Sequence, residues 1–444
     1  MTGSKIKLGE KVYSFPRGGL TFSDSTVPSR DSCVTAFLPS LSVIPLIQHS
    51  GGKAYPVVTV GDTVKEGMLV ARGRGSGSAN IHATVPGRVI RLVSWKNAGG
   101  ENQDALIIRM EGNFEKLGKQ EEIFTWEGMF PYDIQRTISE FGVVEMEGRG
   151  RPVSEIISSM RSAPEPVTLV VRCVFDDPWL ASDYVLCQQR TLAIAEGAAI
   201  TARTCRVSRI VFAISHNESE LGEKFLAAGD KWGLPLSVVL VGSKYPQRNY
   251  REIELVLKNY GRKEGVDLGS LFVLGPATLA AVYDAVKLRK PVLERYVTVG
   301  GSAVKHPQVM KVRLGKRIGD VFAECGGFKG TPRRIATGSP LLGKPIADLD
   351  EPVIKTSFAI FALLEGNRKE GMSSCINCGE CRNVCPVGLD PEELYKKNLL
   401  SKKKGGTAPA EKLSECHACG CCEIVCPSHL PLSRIITSYA SGEN

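Results

Sequence analysis

The chain lacks the features of a membrane-spanning, secreted or nucleic-acid-binding protein. No apolar run approaches the roughly 18 residues that a transmembrane helix needs, and residues 1–15 mix polar and apolar side chains instead of forming the apolar core of a signal peptide. Aromatic residues make up only 7% of the 444, and no arginine-rich arm or aromatic-studded basic motif is present. The net charge of +9 is mild and suits an acidic partner or an anionic surface. We therefore expect a cytosolic chain without a nucleic-acid partner, which reaches any membrane through partner subunits.

Cysteine, in contrast, is abundant and clustered. Nine of the 14 cysteines fall between Cys375 and Cys426, a distribution that indicates metal binding rather than a disulfide framework in a chain without a signal sequence. Two runs share the spacing Cys-x2-Cys-x2-Cys-x3-Cys-Pro, one from Cys375 to Pro386 and one from Cys416 to Pro427. This is the run with which bacterial ferredoxins bind 4Fe–4S clusters, and a structural zinc site is the weaker alternative.

The spacing predicts which cysteines share a cluster. Three close cysteines of one run surround a cluster, and the fourth ligand comes from the other run because the chain turns away after the third cysteine. We therefore predict two 4Fe–4S clusters with crossed ligand sets: Cys375, Cys378, Cys381 and Cys426 for one, and Cys416, Cys419, Cys422 and Cys385 for the other. Cys421 lies between two ligands, and we expect it to point away as a bystander.

The N-terminal third is typical of a small β structure. Short apolar strands alternate with Gly-Asp and Pro-Gly turns across residues 55–70 and 81–90. The pattern resembles the barrel-sandwich hybrid of lipoyl and biotinyl carrier domains. The stretch between the two halves, Arg72 to Ser78, holds no lysine that could be modified, so we predict a structural sandwich without a swinging arm.

Further along, strands alternate with helices and predict a mostly parallel sheet covered on both faces. We expect a strand at Val167–Val171, one helix from about Asp183 to Thr204, and irregular structure over residues 1–30. Paired strands at Arg295–Val299 and Gln308–Leu314, with a short helix after them, indicate a β-grasp module. The predicted architecture is a multidomain α/β plus β protein with four parts: a barrel-sandwich hybrid (1–112), an α/β domain (113–288), a β-grasp module (289–350) and a helical two-cluster ferredoxin domain (351–444).

This order of modules resembles RnfC, the soluble iron–sulfur subunit of the Rnf ion-pumping ferredoxin:NAD oxidoreductase. The resemblance covers nearly the whole chain and is carried by both cysteine motifs and by these segments: Phe15-Pro16-x-Gly18-Gly19, Val60-Gly61-Asp62-x-Val64-x-x-Gly67, His82-Ala83-x-Val85-x-Gly87, Lys244-Tyr245-Pro246-Gln247, Lys290-Pro291-x-x-Glu294-Arg295-x-Val297-Thr298-Val299 and Gly338-x-Pro340-x-x-Gly343. The α/β and β-grasp pair is also similar to the NADH-oxidising, flavin-binding subunit of respiratory complex I. The β-grasp module resembles the SLBB domain of these proteins.

The resemblance implies a redox partner set and a location. The family exchanges electrons between NAD(H), flavin mononucleotide (FMN) and the clusters. Its members work with the membrane subunits of an Rnf-type complex and with a second iron–sulfur or ferredoxin partner. We accordingly expect a peripheral position on the cytoplasmic side of the inner (cell) membrane.

The implied flavin loop departs from the family pattern, which reads roughly Gly-x-x-Gly-x-Gly-Gly-Ala-Gly-Phe-Pro-Thr. Here the loop spans residues 142–153, and glutamates occupy two of the glycine positions, Glu145 and Glu147. Such a side chain intrudes on the backbone approach to a phosphate, and its carboxylate repels the dianion. What remains of the flavin-loop region is Gly142, Gly148, Gly150 and, further on, Asp177.

Two other pieces of the implied pocket also differ. The family motif Asn-Gly-x-Glu-x-Glu-Pro-Tyr reads Arg172 to Trp179 here, with Asp177 at the second acidic position. The Gly-Gly-Glu that usually follows Lys-Tyr-Pro-Gln is replaced by Arg248-Asn249-Tyr250. Two interpretations stay open. The chain is either an electron-relay subunit with a degenerate flavin and NADH pocket, which the departures favour, or an active NAD(H)- and FMN-binding catalytic subunit.

Overall fold

A computed structural model describes residues 11–22, 28–96, 102–112, 123–232, 235–346, 348–364, 371–404 and 415–440. Within these ranges, no helix is long and apolar enough to cross a lipid bilayer.

The first module is the predicted sandwich of short strands. Two small antiparallel sheets, in the orders β3-β9-β8-β5 and β4-β6-β7, enclose a core of buried aliphatic side chains that includes Ile44, Val89 and Leu106. The loop between its halves is docked against the next module, because the Gly77 amide donates to Glu155 Oε1 at 2.5 Å. The strands of this part are β1 (Val12–Tyr13), β2 (Cys33–Thr35), β3 (Leu41–Pro45), β4 (Tyr55–Pro56), β5 (Thr63–Val64), β6 (Leu69–Arg72), β7 (Ile81–His82), β8 (Gly87–Lys96) and β9 (Asn102–Met110).

The second module is a parallel sheet with helices on both faces. Its elements are α1 (Pro131–Glu140), α2 (Val153–Arg161), β10 (Val167–Cys173), α3 (Ser182–Gln189), α4 (Thr191–Cys205), β11 (Arg209–Ser215), α5 (Ser219–Gly229), β12 (Leu236–Val241), α6 (Tyr250–Glu264), β13 (Ser270–Leu274) and α7 (Pro276–Lys287). The strand order is β1-β12-β11-β10-β13. From β10 the chain adds β11 and β12 on one side, and β13 then pairs with β10 on the other side. The strand order therefore switches between β10 and β13, which creates a crevice at the carboxyl ends of these two strands.

Two local predictions for this module are wrong. Residues 1–30 are not wholly irregular, because β1 pairs in parallel with β12 at the sheet edge. The single helix expected from Asp183 to Thr204 is two helices separated at Arg190. Arg190 leaves the helical conformation (φ −128°) while its guanidinium forms two hydrogen bonds with Asp284 of α7, at 2.6 and 2.9 Å.

The third module contains the predicted strand pair and short helix. Its elements are β14 (Glu294–Gly300), β15 (Gln308–Arg313), α8 (Ile318–Glu324), β16 (Arg334–Thr337), β17 (Lys344–Pro345) and β18 (Ala359–Leu363). The mixed sheet has the order β17-β16-β18-β14-β15-β2. The sheet includes β2 from the N-terminal part of the chain, which pairs with β15. It also includes β18, which lies beyond the module boundary expected at residue 350.

The cysteine region is helical and internally repeated. Its helices are α9 (Glu380–Asn383), α10 (Pro391–Lys404), α11 (Cys421–Ile424) and α12 (Leu432–Ala440). Two positions within the first run, one position just after it, and their counterparts in the second repeat adopt the left-handed conformation: Asn377 and Ala418, Gly379 and Gly420, Gly388 and His429. The same backbone path is thus used twice, even where a residue other than glycine makes it costly.

One buried lysine joins the first three modules. Lys355, in the segment before β18, is 2% exposed. Its ammonium donates to the Asn80 carbonyl of the sandwich at 2.8 Å and to the Gly142 carbonyl of the α/β domain at 2.7 Å. Burial lowers the pKa of Lys355 from 10.5 to about 7.

Candidate metal centre and the neighbouring crevice

The structure groups the eight predicted ligands into two cavities. Cys375, Cys378, Cys381 and Cys426 line the first, which joins the three close cysteines of one run to the last cysteine of the other. The buried side chains of Leu430 and Leu432 close this cavity. Cys378 itself is exposed, so the first cavity lies near the protein surface.

The second cavity has the complementary composition. It is lined by Cys385 from the first run and by Cys416, Cys419 and Cys422 from the second, with Leu389 and Ile436 as apolar walls. The helices α9 and α11, which carry the third cysteine of each run, pack against each other, so the two cavities are neighbours.

We expected the Cys421 thiol to point away from the predicted ligands, but it lies among them. It is fully buried, lines the second cavity and shares a hydrophobic cluster with Cys419 and Tyr245. Phe22 and Leu341 pack against the same cluster. The thiol thus lies close to the predicted ligands.

The cavities suit clusters in donor type and in their hydrogen bonds to sulfur. The Leu389 amide donates to Cys385 Sγ at 3.3 Å, and the Ala418 amide donates to Cys416 Sγ at 3.4 Å. Such bonds to cysteine sulfur are among the factors that set cluster potentials. In the part of the chain that the structure describes, no three His, Cys, Asp or Glu side chains converge as closely as a single metal ion requires. The predicted ligands line the two neighbouring cavities.

The second cavity is fixed to the α/β domain by two buried polar contacts. His417 Nδ1 lies 2.5 Å from Glu252 Oε1 on α6, with side chains only 6% and 1% exposed. The Tyr245 hydroxyl donates to the Cys419 carbonyl at 2.8 Å. Ring contacts continue from Tyr245 to Phe22 (5.6 Å between centroids) and from Phe22 to Trp179 (5.1 Å). A packed aromatic row therefore leads from the second cavity toward the end of β10.

The crevice at the carboxyl ends of β10 and β13 is the usual ligand position of such a sheet. It contains a carboxylate of the chain itself. Glu147 Oε1 accepts hydrogen bonds from the amides of Ala277 (2.6 Å) and Thr278 (3.1 Å) at the start of α7, and its Oε2 accepts one from the Thr278 hydroxyl. These are the amides that a helix N-terminus offers to a phosphate.

The rest of the loop that the resemblance implies is also engaged within the protein. The Gly142 carbonyl accepts from Lys355, and the Gly150 carbonyl accepts from the Ser50 amide of the sandwich. Gly148 lies under the Glu145 carboxylate, which a Cβ at Gly148 would meet at 2.4 Å. Burial and the Glu147 carboxylate raise the pKa of Glu145. The three glycines of this loop are therefore already in contact with other parts of the protein.

Two arginines balance the carboxylates in the crevice. Arg172, on β10, interacts electrostatically with Glu145 and Glu147, and its guanidinium donates to the Arg248 carbonyl at 3.1 Å. Arg248, only 16% exposed, lies 3.7 Å from Asp183. Arg172 and Arg248, two of the basic residues that depart from the family pattern, thus meet in space.

The two acidic residues after β10 are used inside the protein. Asp177 Oδ2 accepts from the Ser339 hydroxyl at 2.5 Å, which attaches the β-grasp module to β10. Asp176 accepts from the Arg248 amide at 3.0 Å, and burial raises its pKa to about 7. Its second oxygen is buried and has no partner among the described residues.

These contacts do not fit a flavin phosphate at the start of α7. The amides there already donate to Glu147, and the nearby Glu145 would repel a dianion. The sequence singled out Glu147 only as a lost glycine and missed it as the partner of α7. A signal for that role was the acidic residue itself, since a helix N-terminus favours a carboxylate.

The comparisons with known proteins cover every module. Four family models match: the RnfC barrel sandwich hybrid domain at residues 14–113, the Nuo51 FMN-binding domain at 138–284, the SLBB domain at 296–345 and the 4Fe-4S dicluster domain at 370–430. They confirm the predicted fold class.

Relatives extend over most of the chain. It is 33% identical to the C component of the ion-translocating oxidoreductase complex from Rhodobacter capsulatus, over 80% of this chain and 69% of that protein. It is 30% identical to the C component of the proton-translocating ferredoxin:NAD(+) oxidoreductase complex from Clostridium ljungdahlii, over 85% and 83%. A chain of an NAD+-reducing [NiFe]-hydrogenase in the H2-reduced state is also similar, at 14% identity and a TM-score of 0.48 over 70% of this chain and 61% of that one. The chain thus belongs to the RnfC family, the C components of ion-translocating oxidoreductase complexes.

Proposed function

We propose that this protein is the electron-transfer subunit of an Rnf-type ion-translocating oxidoreductase and relays electrons through two 4Fe–4S clusters. The observation that carries the proposal is the pair of neighbouring cavities, each lined by three cysteines of one run and one of the other. When bound, such clusters take up and release single electrons. The chain supplies the thiolates, donates amides to sulfur, and excludes water with leucine and isoleucine walls.

The two cavities support the ligand sets that the cysteine spacing predicts. In this proposal, Cys375, Cys378, Cys381 and Cys426 hold one cluster, and Cys416, Cys419, Cys422 and Cys385 hold the other. Cys421 is not a ligand in this assignment, although it lies at the second cavity.

Pairs of cysteine-to-alanine variants test the crossed assignment. We expect anaerobically purified protein to hold about eight iron atoms, since two clusters contain four each. Changing Cys375 and Cys426 together removes one cluster and leaves about four iron atoms, whereas changing Cys375 and Cys385 together removes both. Cys421→Ala keeps both clusters. If the Cys375/Cys385 pair retained half of the iron, ligation would not be crossed, and zinc in place of iron would refute the relay itself.

The first cavity is the proposed point of contact with an electron partner. Cys378 is exposed, and Ile376, which lines the same cavity, is an apolar residue that is 65% exposed. A second iron–sulfur or ferredoxin protein could approach this cluster closely. The second cavity, in contrast, faces the α/β domain through His417 and Tyr245.

The remaining features of the proposal concern location and assembly. The protein is peripheral, on the cytoplasmic side of the inner (cell) membrane, and is attached through the membrane subunits of the complex. The family relationship supports assembly with other subunits.

A second candidate function is an NAD(H)- and FMN-binding catalytic subunit. The match of residues 138–284 to the Nuo51 FMN-binding domain favours it. The contents of the crevice favour a relay without its own flavin. Flavin released on denaturation distinguishes them: one flavin per chain supports the catalytic function, and none with full iron supports the relay.

A further inference from the structure

We propose that the anion site at the start of α7 is permanently filled by the chain's own Glu147 carboxylate. This crevice therefore binds neither the phosphate of a flavin nucleotide nor that of a nicotinamide nucleotide. Three hydrogen bonds carry the proposal, two from the Ala277 and Thr278 amides and one from the Thr278 hydroxyl. A carboxylate at this place satisfies the unpaired amides of the first turn and complements the positive end of the helix dipole. Glu147 therefore replaces a phosphate chemically as well as sterically.

The surroundings hold Glu147 in place. The adjoining Met146 amide donates to Thr278 Oγ1 at 2.9 Å, so the loop and the helix share two points of attachment. The buried Arg295 donates to the Met146 carbonyl at 2.9 Å from the other side. A Cβ at Gly275, the residue before α7, would meet the Glu147 carboxyl carbon at 2.2 Å, so the glycine leaves room for the side chain.

The charges around the crevice complete the replacement. Arg172 provides a cation for both Glu145 and Glu147 from the neighbouring strand. Arg149 and Arg151, the other basic residues of the loop, are exposed, and Arg151 donates to Ser159 instead. The larger compensating charge on Glu145 thus comes from Arg172 of β10, with a smaller contribution from Arg151 of the loop. Both balance carboxylates that are already present.

The test uses the full-length, cluster-loaded protein and inorganic phosphate as the probe. In wild type we expect phosphate to stabilise the protein no more than chloride at equal ionic strength, measured as the thermal midpoint. In Glu147→Gly, which vacates the amides, phosphate should raise the midpoint above chloride, and FMN should bind with a dissociation constant of about 1–100 µM by fluorescence quenching.

Two variants serve as controls. Glu147→Gln keeps the side chain in the crevice and should remain insensitive to phosphate. Glu223→Gln removes an exposed carboxylate on α5 and should behave like wild type. If Glu147→Gly does not fold in chloride, replacing chloride by phosphate at equal ionic strength should restore its folding.

Several results would overturn the proposal. The first is flavin that stays bound to purified wild type. The second is a phosphate response of wild type or Glu147→Gln that equals the response of Glu147→Gly. The third is a folded Glu147→Gly that responds to neither phosphate nor FMN. The inference does not depend on the relay function. Iron is measured in every variant, so that loss of clusters, which bears on the relay, is distinguished from a phosphate or flavin response, which bears on Glu147.

Discussion

Replacing Lys355 by methionine should change how the stability of this protein depends on pH. The ammonium is buried where three modules meet and donates to the carbonyls of Asn80 and Gly142. Burial lowers its pKa from 10.5 to about 7. Between these values the unfolded chain holds a proton that the folded chain has lost, so the free energy of unfolding rises with pH. The two neighbouring histidines, His49 and His82, have lowered pKa values and are uncharged in this window.

The magnitude follows from the size of the shift. At about 1.4 kcal/mol per pH unit, the difference between 10.5 and about 7 amounts to a gain of about 5 kcal/mol as the pH rises through the window. Below pH 7 the lysine is charged in both states, and the full cost of burying it applies. Lys355→Met removes this titration, so wild type should gain stability relative to the variant as the pH increases.

Urea unfolding followed by tryptophan fluorescence under anaerobic conditions measures the difference, at several pH values between about 7 and 10. The comparison is made at each pH between wild type and variant, so that titration of other groups cancels. Lys305→Met, at an exposed lysine, is the matched control and should keep the wild-type slope. Equal slopes for wild type and Lys355→Met would refute the assignment of a neutral buried lysine.

Two further predictions concern the cluster region. Glu252→Ala leaves His417 buried without its partner and should weaken the attachment of the cluster region to α6 by about 1–3 kcal/mol. The variant should therefore lose iron to a chelator faster than wild type, and Glu252→Gln, which keeps an acceptor, should lose iron more slowly than Glu252→Ala. Equal rates of iron loss in all three proteins would contradict the contact. Ile376→Glu places a charge beside the exposed Cys378 and should slow reduction by an acidic ferredoxin about tenfold in stopped-flow measurements. The same change at the exposed Leu255 of α6 is the control, and an unchanged rate for Ile376→Glu would exclude this surface as the contact.

The sequence was informative where a local pattern determines the structure. The alternation of strands and helices predicted the parallel sheet, and turn residues predicted the sandwich, because both signals lie within a few residues of one another. The strands β1 and β2 carry no such signal. Each has two or three residues and is placed by pairing with β12 or β15, more than 200 positions along the chain. The break between α3 and α4 has a similar origin, since Arg190 pairs with Asp284 of a distant helix.

The crevice shows why sequence comparison alone describes the site incompletely. Taken singly, Glu147, Arg172 and Arg248 are losses from a family pattern, and the Glu147 carboxylate alone would repel a flavin phosphate. In space they form a connected set: Glu147 satisfies the first turn of α7, Arg172 lies near its carboxylate, and Arg172 donates to the backbone of Arg248. A pocket that had only lost its ligand contacts would leave the amides of α7 without acceptors. Their satisfaction by Glu147 indicates a crevice rebuilt for stability, which preserves the support that α6 and Tyr245 provide for the second cluster cavity.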